Sequence, residues 1–297
     1  MNRASVERSR LAGLVGAGIG PSRTPFMHEA EGAASGFPYV YRRIDLEALG
    51  LGLADLPAIL AWAERLGFDG LNVTHPCKQA IVAHLDELAP AAEAIGAVNT
   101  VVFANGRRIG HNTDGTGFLE AFRRGLPDVA RDRVVLIGAG GGGAAVAWAL
   151  LQARVRQLRL FDRDAERARA LAARMAARFP DRGLLCVGDL ASALADADGL
   201  VNATPVGMAA YPGSPVPFEL LRPELWVADI VYFPLETELL RAARARGCRT
   251  LDGSGMAVFQ AVEAFRLFTG REPDVARMFR HFEAAALATD PNRGGSR

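Results

Sequence analysis

Residues Val134 to Leu150 read Val-Val-Leu-Ile-Gly-Ala-Gly-Gly-Gly-Gly-Ala-Ala-Val-Ala-Trp-Ala-Leu, and no other stretch restricts the possible folds as sharply. Four branched apolar residues, a glycine turn and an Ala-rich segment predict a strand, a tight turn and a helix. Gly138, Gly140 and Gly143 have the G-x-G-x-x-G spacing of a dinucleotide-binding turn. Missing Cβ atoms let the backbone approach a pyrophosphate, and the free N–H groups and dipole of a helix N-terminus favour the anion. Because the chain has 32 glycines, the turn needs support from its context. That reading demands an acidic residue at the end of the next strand, about 20 residues on, and Asp162 stands there.

At 297 residues, 50% hydrophobic and 23% charged, the chain is long enough for two globular domains. A net charge of +1, from 34 basic and 33 acidic residues interspersed, gives no electrostatic reason to expect a nucleic-acid or membrane partner. Cys77, Cys186 and Cys248 are far apart and match no metal-ligand spacing, so no metal is expected and reduced thiols in a cytoplasm are the simplest reading. No apolar run has the length of a bilayer span, and the charged stretch Met1 to Arg10 lacks a following signal-like apolar core.

Ahead of the glycine turn, Leu11 to Val15 predicts a buried strand and Gly16 to Pro25 a loop leading into a helix. Strands Tyr39 to Ile44 and Leu71 to Val73 flank a helix whose Leu56, Ile59, Leu60, Ala63 and Leu66 share one face. A helix is expected near Lys78 to Glu87, then a hairpin of Thr100 to Phe103 and Arg107 to Gly110 around Asn105-Gly106. The first domain is therefore a mixed sheet. A helix over Thr113 to Leu126 leads out of it, so the chain crosses between domains near residue 112.

Strands then alternate with helices: Val134 to Ile137, Leu158 to Phe161, Leu184 to Val187, Leu200 to Asn202, Val227 to Val231 and Arg249 to Leu251. Six such strands predict a parallel, doubly wound, Rossmann-like sheet. Helices over Met256 to Thr269 and on to Ala288 precede a polar tail, Thr289 to Arg297, expected to be disordered.

Asp162 can accept hydrogen bonds from the adenosine ribose hydroxyls of NAD and would repel the 2′-phosphate of NADP, by about 4 kcal/mol for unit charges 4 Å apart at a moderate effective dielectric. Arg163 opposes it, since a guanidinium can take that phosphate or stack on adenine. NAD is thus favoured over NADP. Polar groups also gather in three loops, Ser22 to Pro25, Asn72 to Lys78, and Asn99-Thr100 with Asn112 to Asp114. Each has an ordinary explanation: Ser22, Thr24 or Asp114 as helix caps, Asn72 and Thr74 as turn formers, Lys78 as a solvated helix residue. Beside a dinucleotide site they gain another, because hydride removal from a secondary alcohol needs a base for the hydroxyl proton, and a lysine with a carboxylate neighbour can serve.

The ordered set Ser22-x-Thr-Pro25, Gly70-x-Asn-Val-Thr74-x-Pro-x-Lys78, Gly96-Ala-Val-Asn-Thr100, Asn112-Thr-Asp-Gly115, Gly138-Ala-Gly-Gly141, Asn202-Ala-Thr-Pro-x-Gly-Met208, Asp229-x-Val-Tyr-x-Pro234 and Gln260 resembles the shikimate dehydrogenase family. The resemblance covers nearly the whole chain and is nearest to the NAD-linked quinate/shikimate dehydrogenases, through Ser-Arg-Thr-Pro and Asp162. It implies that Lys78 exchanges the proton of the C3 hydroxyl and that Asp114 orients lysine and substrate. Ser22 and Thr24 would hold the substrate carboxylate, and Thr74, Asn99 and Gln260 the ring hydroxyls.

Gly138, Gly140, Gly141, Gly142, Gly143, Asp162 and Arg163 would bind the dinucleotide, with Thr204, Pro205, Val231, Gly253 and Met256 on the nicotinamide side. The substrate domain would comprise residues 1–112 and 256–297, the dinucleotide domain 113–255, with the last helices packing back on the first. The usual family loop has serine at the position of Thr24, so activity on both shikimate and quinate is expected, with the preference open. An NADP-linked biosynthetic enzyme and a non-catalytic ligand sensor of the same fold are the alternatives. The partner expected is the small-molecule substrate; monomer and homodimer both fit.

Overall fold

The structure, a computed structural model, describes residues 8–288. Most of the charged N-terminal stretch and the tail expected to be disordered therefore lie outside the described residues. The chain forms two compact units, one taking in residues up to Ala92, Val98–Thr113 and the chain from Ala261 onward, the other Glu93–Ala97 and Asp114–Gln260.

The first unit begins with β1 (Arg10–Gly16), α1 (Thr24–Ala34), β2 (Tyr39–Asp45), α2 (Leu46–Leu49), α3 (Leu56–Arg65), β3 (Gly70–Val73), α4 (Cys77–Ala80), β4 (Glu87–Leu88), α5 (Pro90–Ile95), β5 (Thr100–Ala104) and β6 (Arg107–His111). Its sheet runs β2-β1-β3-β5-β6-β4. Strands β2, β1 and β3 are parallel, β5 is antiparallel to both β3 and β6, and the sheet is mixed as expected. Asn105 and Gly106 both have positive φ, 53° and 71°, which is what a two-residue hairpin matching the strand twist requires. On one face, Leu56, Leu60 and Ala63 of α3 pack with Val15, Leu71, Val73 and Val101.

Two expectations fail in this unit. Leu66 does not share the buried face of α3; it is 66% exposed, because the helix has ended at Arg65 and the chain turns away through Gly67 at φ 78°. The helix over Lys78 to Glu87 is only the turn α4 followed by 3₁₀ residues Ile81–His84. Glu87 lies instead in a strand, since Asp86 and Ala89 donate backbone N–H groups to the carbonyls of Arg108 and Gly110 on β6.

The second unit contains α6 (Thr113–Gly125, from Asp114), β7 (Arg133–Ile137), α7 (Gly141–Gln152), β8 (Gln157–Phe161), α8 (Ala165–Arg178), β9 (Gly183–Cys186), α9 (Leu190–Leu194), β10 (Gly199–Asn202), β11 (Trp226–Asp229), α10 (Glu238–Ala245), β12 (Thr250–Leu251) and the start of α11 (Ser254–Thr269). The sheet order is β12-β11-β10-β7-β8-β9 with every pairing parallel. From β7 the chain winds outward first to one side and then to the other, a doubly wound sheet with its switch point between β7 and β10. Strands β7, β10 and β11 are almost wholly buried, which is why their sequences are continuous apolar runs. Strand β11 stops two residues short of the expected Val231, because the Val231 N–H turns back onto the Asp229 side chain.

The units divide after Thr113 and after Gln260, and residues 93–97 go with the second. Within that unit the Ile95 carbonyl accepts a hydrogen bond from Arg174 of α8 at 2.6 Å. The chain returns to the first unit along α11 and ends in α12 (Val275–Ala288). There Phe265 and Phe268 pack on Ala12, Leu14, Tyr39 and Tyr41, the other face of the mixed sheet. Glu31 of α1, wholly buried, accepts two hydrogen bonds from Arg277 of α12, at 2.7 and 2.6 Å. No helix among the described residues is long and apolar enough to cross a membrane.

Candidate active site

In the second unit, Phe161, Ile137, Asn202 and Asp229 end β8, β7, β10 and β11 abreast of one another. Each of the next residues therefore emerges along one edge of the sheet, the carboxyl edge where ligands of such sheets bind. Gly138 turns there with φ 101°, so close to Ala203 that a Cβ would lie 2.7 Å from its carbonyl oxygen. A Cβ on Gly143 would lie 1.9 Å from the Gly138 carbonyl oxygen, so glycine alone lets α7 start against the turn. Gly140 is different. It caps α7 in an extended conformation with nothing within 4 Å of a built Cβ, leaving open space before the first N–H groups of the helix. Gly141 and Gly142 follow as the first residues of the helix, whose N-terminal N–H groups have the character of an anion site.

Asp162 closes the other side. Its carboxylate accepts from the Ala139 N–H at 2.7 Å and from the Asp164 N–H at 2.9 Å, which ties the end of β8 to the glycine turn. Asp164 caps α8 by accepting from Arg167 N–H, and Arg163 between them is exposed. On the switch-point side, Thr204 donates through its N–H and its hydroxyl to Asn202 Oδ1, at 3.0 and 2.7 Å, and Pro205 beside it is exposed. Gly253 passes the Val231 carbonyl so closely that a Cβ would lie 2.5 Å from that oxygen, bringing the start of α11 to the same edge. Met256 and Gln260 follow on α11, Met256 8% exposed and Gln260 donating to the Ala257 carbonyl. Most of the residues expected from sequence at the dinucleotide thus lie along this edge, whereas Met256 is placed by α11, as is Gln260, which is expected at the substrate.

In the first unit two expected loops converge on Gly16, at the end of β1. A Cβ there would lie 2.4 Å from Thr74 Cγ2 and 3.1 Å from Ile19 Cγ2. Ser22 is held by its N–H on the Ile19 carbonyl and by Arg43 on its own carbonyl, both at 3.0 Å, and its hydroxyl accepts from Thr24 N–H at 3.4 Å. The cap position of α1 belongs to Arg23, with no side-chain capping bond, so neither Ser22 nor Thr24 caps that helix. Lys78 is half-buried on α4, whose Lys78 carbonyl takes the Val98 N–H at 2.8 Å.

Asn72 is no turn former; it lies inside β3, 4% exposed. It accepts from the Tyr41 hydroxyl at 2.7 Å and donates to Thr100 Oγ1 at 2.9 Å. Thr100 donates in turn to Asn99 Oδ1, which also accepts the Thr113 N–H at 2.7 Å. Asn99 thus fixes the residue that opens α6, one position before Asp114, itself 7% exposed.

Comparison with known proteins agrees with both halves. The model of the shikimate dehydrogenase substrate binding domain matches residues 14–101, that of shikimate/quinate 5-dehydrogenase residues 120–208, and that of the shikimate 5′-dehydrogenase C-terminal domain residues 253–278. A shikimate dehydrogenase (NADP(+)) of Streptomyces avermitilis is 60% identical over 272 residues, covering 91% of this chain and 94% of that one. This chain belongs to the shikimate dehydrogenase family. As a member it is an oxidoreductase acting on a secondary alcohol. A quinate/shikimate dehydrogenase (NAD(+)) of Corynebacterium glutamicum is 52% identical, covering 91% of this chain and 96% of its own. The structure of quinate dehydrogenase from Corynebacterium glutamicum in complex with NAD superposes with a TM-score of 0.89 at 50% identity, covering 93% of this chain and 99% of that one.

Sequence reading missed a second buried network, Asn202, Asp229 and Thr237. Asp229 is 2% exposed, and burial pushes its carboxyl up to about 6 against the opposing pull of the Val231 N–H, the Thr237 hydroxyl and the Asn202 amide. The signal was present: a polar residue closing each of two apolar strands, and a threonine ahead of α10.

Proposed function

We propose that this protein oxidises the C3 hydroxyl of shikimate and quinate, reversibly, with NAD as the electron acceptor. The observation that carries the choice of NAD is the Asp162-Arg163-Asp164 turn. A 2′-phosphate at the end of β8 would meet the Asp162 carboxylate. The N-terminus of α8, which begins just after it, is already capped by the carboxylate of Asp164. A ribose diol suits the same place, because an ionised carboxylate is an acceptor only and a diol is a donor. The kinship with an NAD-bound quinate dehydrogenase supports this reading.

The open space at Gly140 and the N-terminus of α7, which has no side-chain cap, suit a nicotinamide dinucleotide. When bound, it supplies the hydride acceptor. The remaining work belongs to side chains of this chain. Lys78 takes the proton from the C3 hydroxyl oxygen, and Asp114 orients it. Ser22 and Thr24 bind the carboxylate, and Thr74, Asn99 and Gln260 bind the ring hydroxyls. A polyhydroxy acid calls for such neutral directional groups, since each buried hydroxyl left unpaired costs about 1–3 kcal/mol. In this reading the first unit is the substrate domain, the second the dinucleotide domain, and the enzyme is cytoplasmic.

An NADP-linked shikimate dehydrogenase is the second reading, favoured by the exposed Arg163 and by the name of the Streptomyces relative. Steady-state assays of quinate and shikimate, each with NAD and with NADP, separate the two. The expected result is a larger kcat/KM with NAD for both acids; preference for NADP overturns the cofactor assignment, and turnover of neither acid overturns the function.

A further inference from the structure

We propose that Asp229 is a positioning residue for the dinucleotide, holding the loop after β10 and the backbone after β11 at the spacing the nicotinamide side requires. The inference rests on the functional reading above. Asp229 and Asn202 end neighbouring strands in register, and Asn202 Nδ2 donates both to Asp229 Oδ1 at 3.0 Å and to the Val206 carbonyl at 2.9 Å. The other end of that amide, Oδ1, fixes the Thr204 N–H and hydroxyl. Thr204 Oγ1 in turn accepts from the Val206 N–H at 3.2 Å. Asn202 therefore shapes the whole turn from Thr204 to Val206, and Asp229 sets where Asn202 stands.

The same Oδ1 of Asp229 accepts the Val231 N–H at 3.0 Å, so one oxygen joins the two loops. Its second oxygen accepts the Thr237 hydroxyl at 2.8 Å, and Thr237 Oγ1 accepts from Leu240 N–H at the start of α10. That anchors the junction in a helix. Gly207 crosses above it with φ 105°, and a Cβ there would lie 3.7 Å from Asp229 Oδ2 and 3.2 Å from Thr237 Cγ2. All three partners of Asp229 are donors, which a carboxylate satisfies and an amide satisfies only in part. Among the described residues Asp229 makes no ion pair. A buried carboxylate without a cation is a poor source of stability. What the arrangement does provide is a fixed distance between Thr204 and Val231.

The test is a fluorescence titration of NADH and NADPH against wild-type protein, Asp229→Ala and Asp229→Asn, with Tm and the KM for shikimate measured on each. Asp229→Ala should raise the dinucleotide Kd at least tenfold while the shikimate KM stays within about twofold. Asp229→Asn, which keeps the acceptor oxygen shared by Asn202 and Val231, should restore the Kd to within about threefold of wild type. If Asp229→Ala does not fold, Asn202→Ala decides, since it cuts the same tie from the other side. An unchanged dinucleotide Kd overturns the inference, as does a Kd that rises only in step with the shikimate KM as Tm falls. Wild-type protein that binds neither dinucleotide overturns the functional reading and this inference with it.

Discussion

Lys78 is half-buried on a helix of only four residues, and the Val98 N–H on its carbonyl fixes its backbone. As the proton acceptor it has no substitute in a methyl group: Lys78→Ala should lower kcat by at least ~100-fold, the lower scale of general base catalysis, and leave the NAD Kd within a few-fold. Near-normal turnover in that variant would remove Lys78 from the reaction. Asp229 invites a different measurement. An aspartate ordinarily titrates near 3.8, and burial raises this one to about 6. Well below its ordinary value it is protonated in both the folded and unfolded states and costs nothing. Between pH 4 and 6 the unfolded chain loses its proton first, so stability falls as pH rises, by a total on the order of ~3 kcal/mol that persists above pH 6. Asp229→Asn removes that penalty. Denaturant melts of both proteins at pH 4 and pH 7 should show the variant gaining on wild type at the higher pH, whereas a difference independent of pH would show that Asp229 is not the buried carboxylate described.

At the scale of elements, the turn from β7 into α7 separates two kinds of glycine. Gly143 has no room for a side chain, and Gly140 has open space around a built Cβ. Gly143→Ala forces the helix from the turn, and overpacking of this kind costs about 1–3 kcal/mol. Its Tm and its dinucleotide affinity should both fall. Gly140→Ala, in an extended conformation that alanine adopts freely, should keep the wild-type Tm and still weaken dinucleotide binding at least tenfold. Thermal melts beside NADH titrations read both quantities, and a Gly140→Ala protein with normal affinity would place the pyrophosphate elsewhere. The same contrast explains which elements were legible. Strands β7, β10 and β11, buried on both faces, advertise themselves as apolar runs. The segment after Lys78 does not, because its path is set by hydrogen bonds from Asp86 and Ala89 to Arg108 and Gly110 of β6, a strand further along the chain. Leu66 departs from the expected face for a related reason: helical periodicity says which face is apolar but not where the last turn ends.

For the whole molecule, the division into a mixed-sheet unit and a doubly wound unit implies that each ligand should protect its own set of amides. Hydrogen exchange with NAD alone should slow residues 138–143 and 202–206, and with shikimate alone residues 22–24 and 74–78. At 100 times Kd a ligand specific to the folded state adds about 2.7 kcal/mol, ample for detection. Shikimate protection confined to the second unit would reverse the roles assigned to the two. By itself the sequence determined the two-domain α/β class, the glycine turn, the acid after β8 and the family, because each is written in residues close in the chain or in motifs of fixed spacing. Only the tertiary structure decided which partners Asn72, Asn99, Asn202 and Asp229 bond to. All four are buried polar residues, and a buried polar group takes its meaning from partners that must satisfy it. For Asp229 those partners are Asn202, 27 residues back on a neighbouring strand, and Thr237, eight residues on at the head of a helix. Chain order alone gives no distance between them; the parallel register of β10 and β11 does.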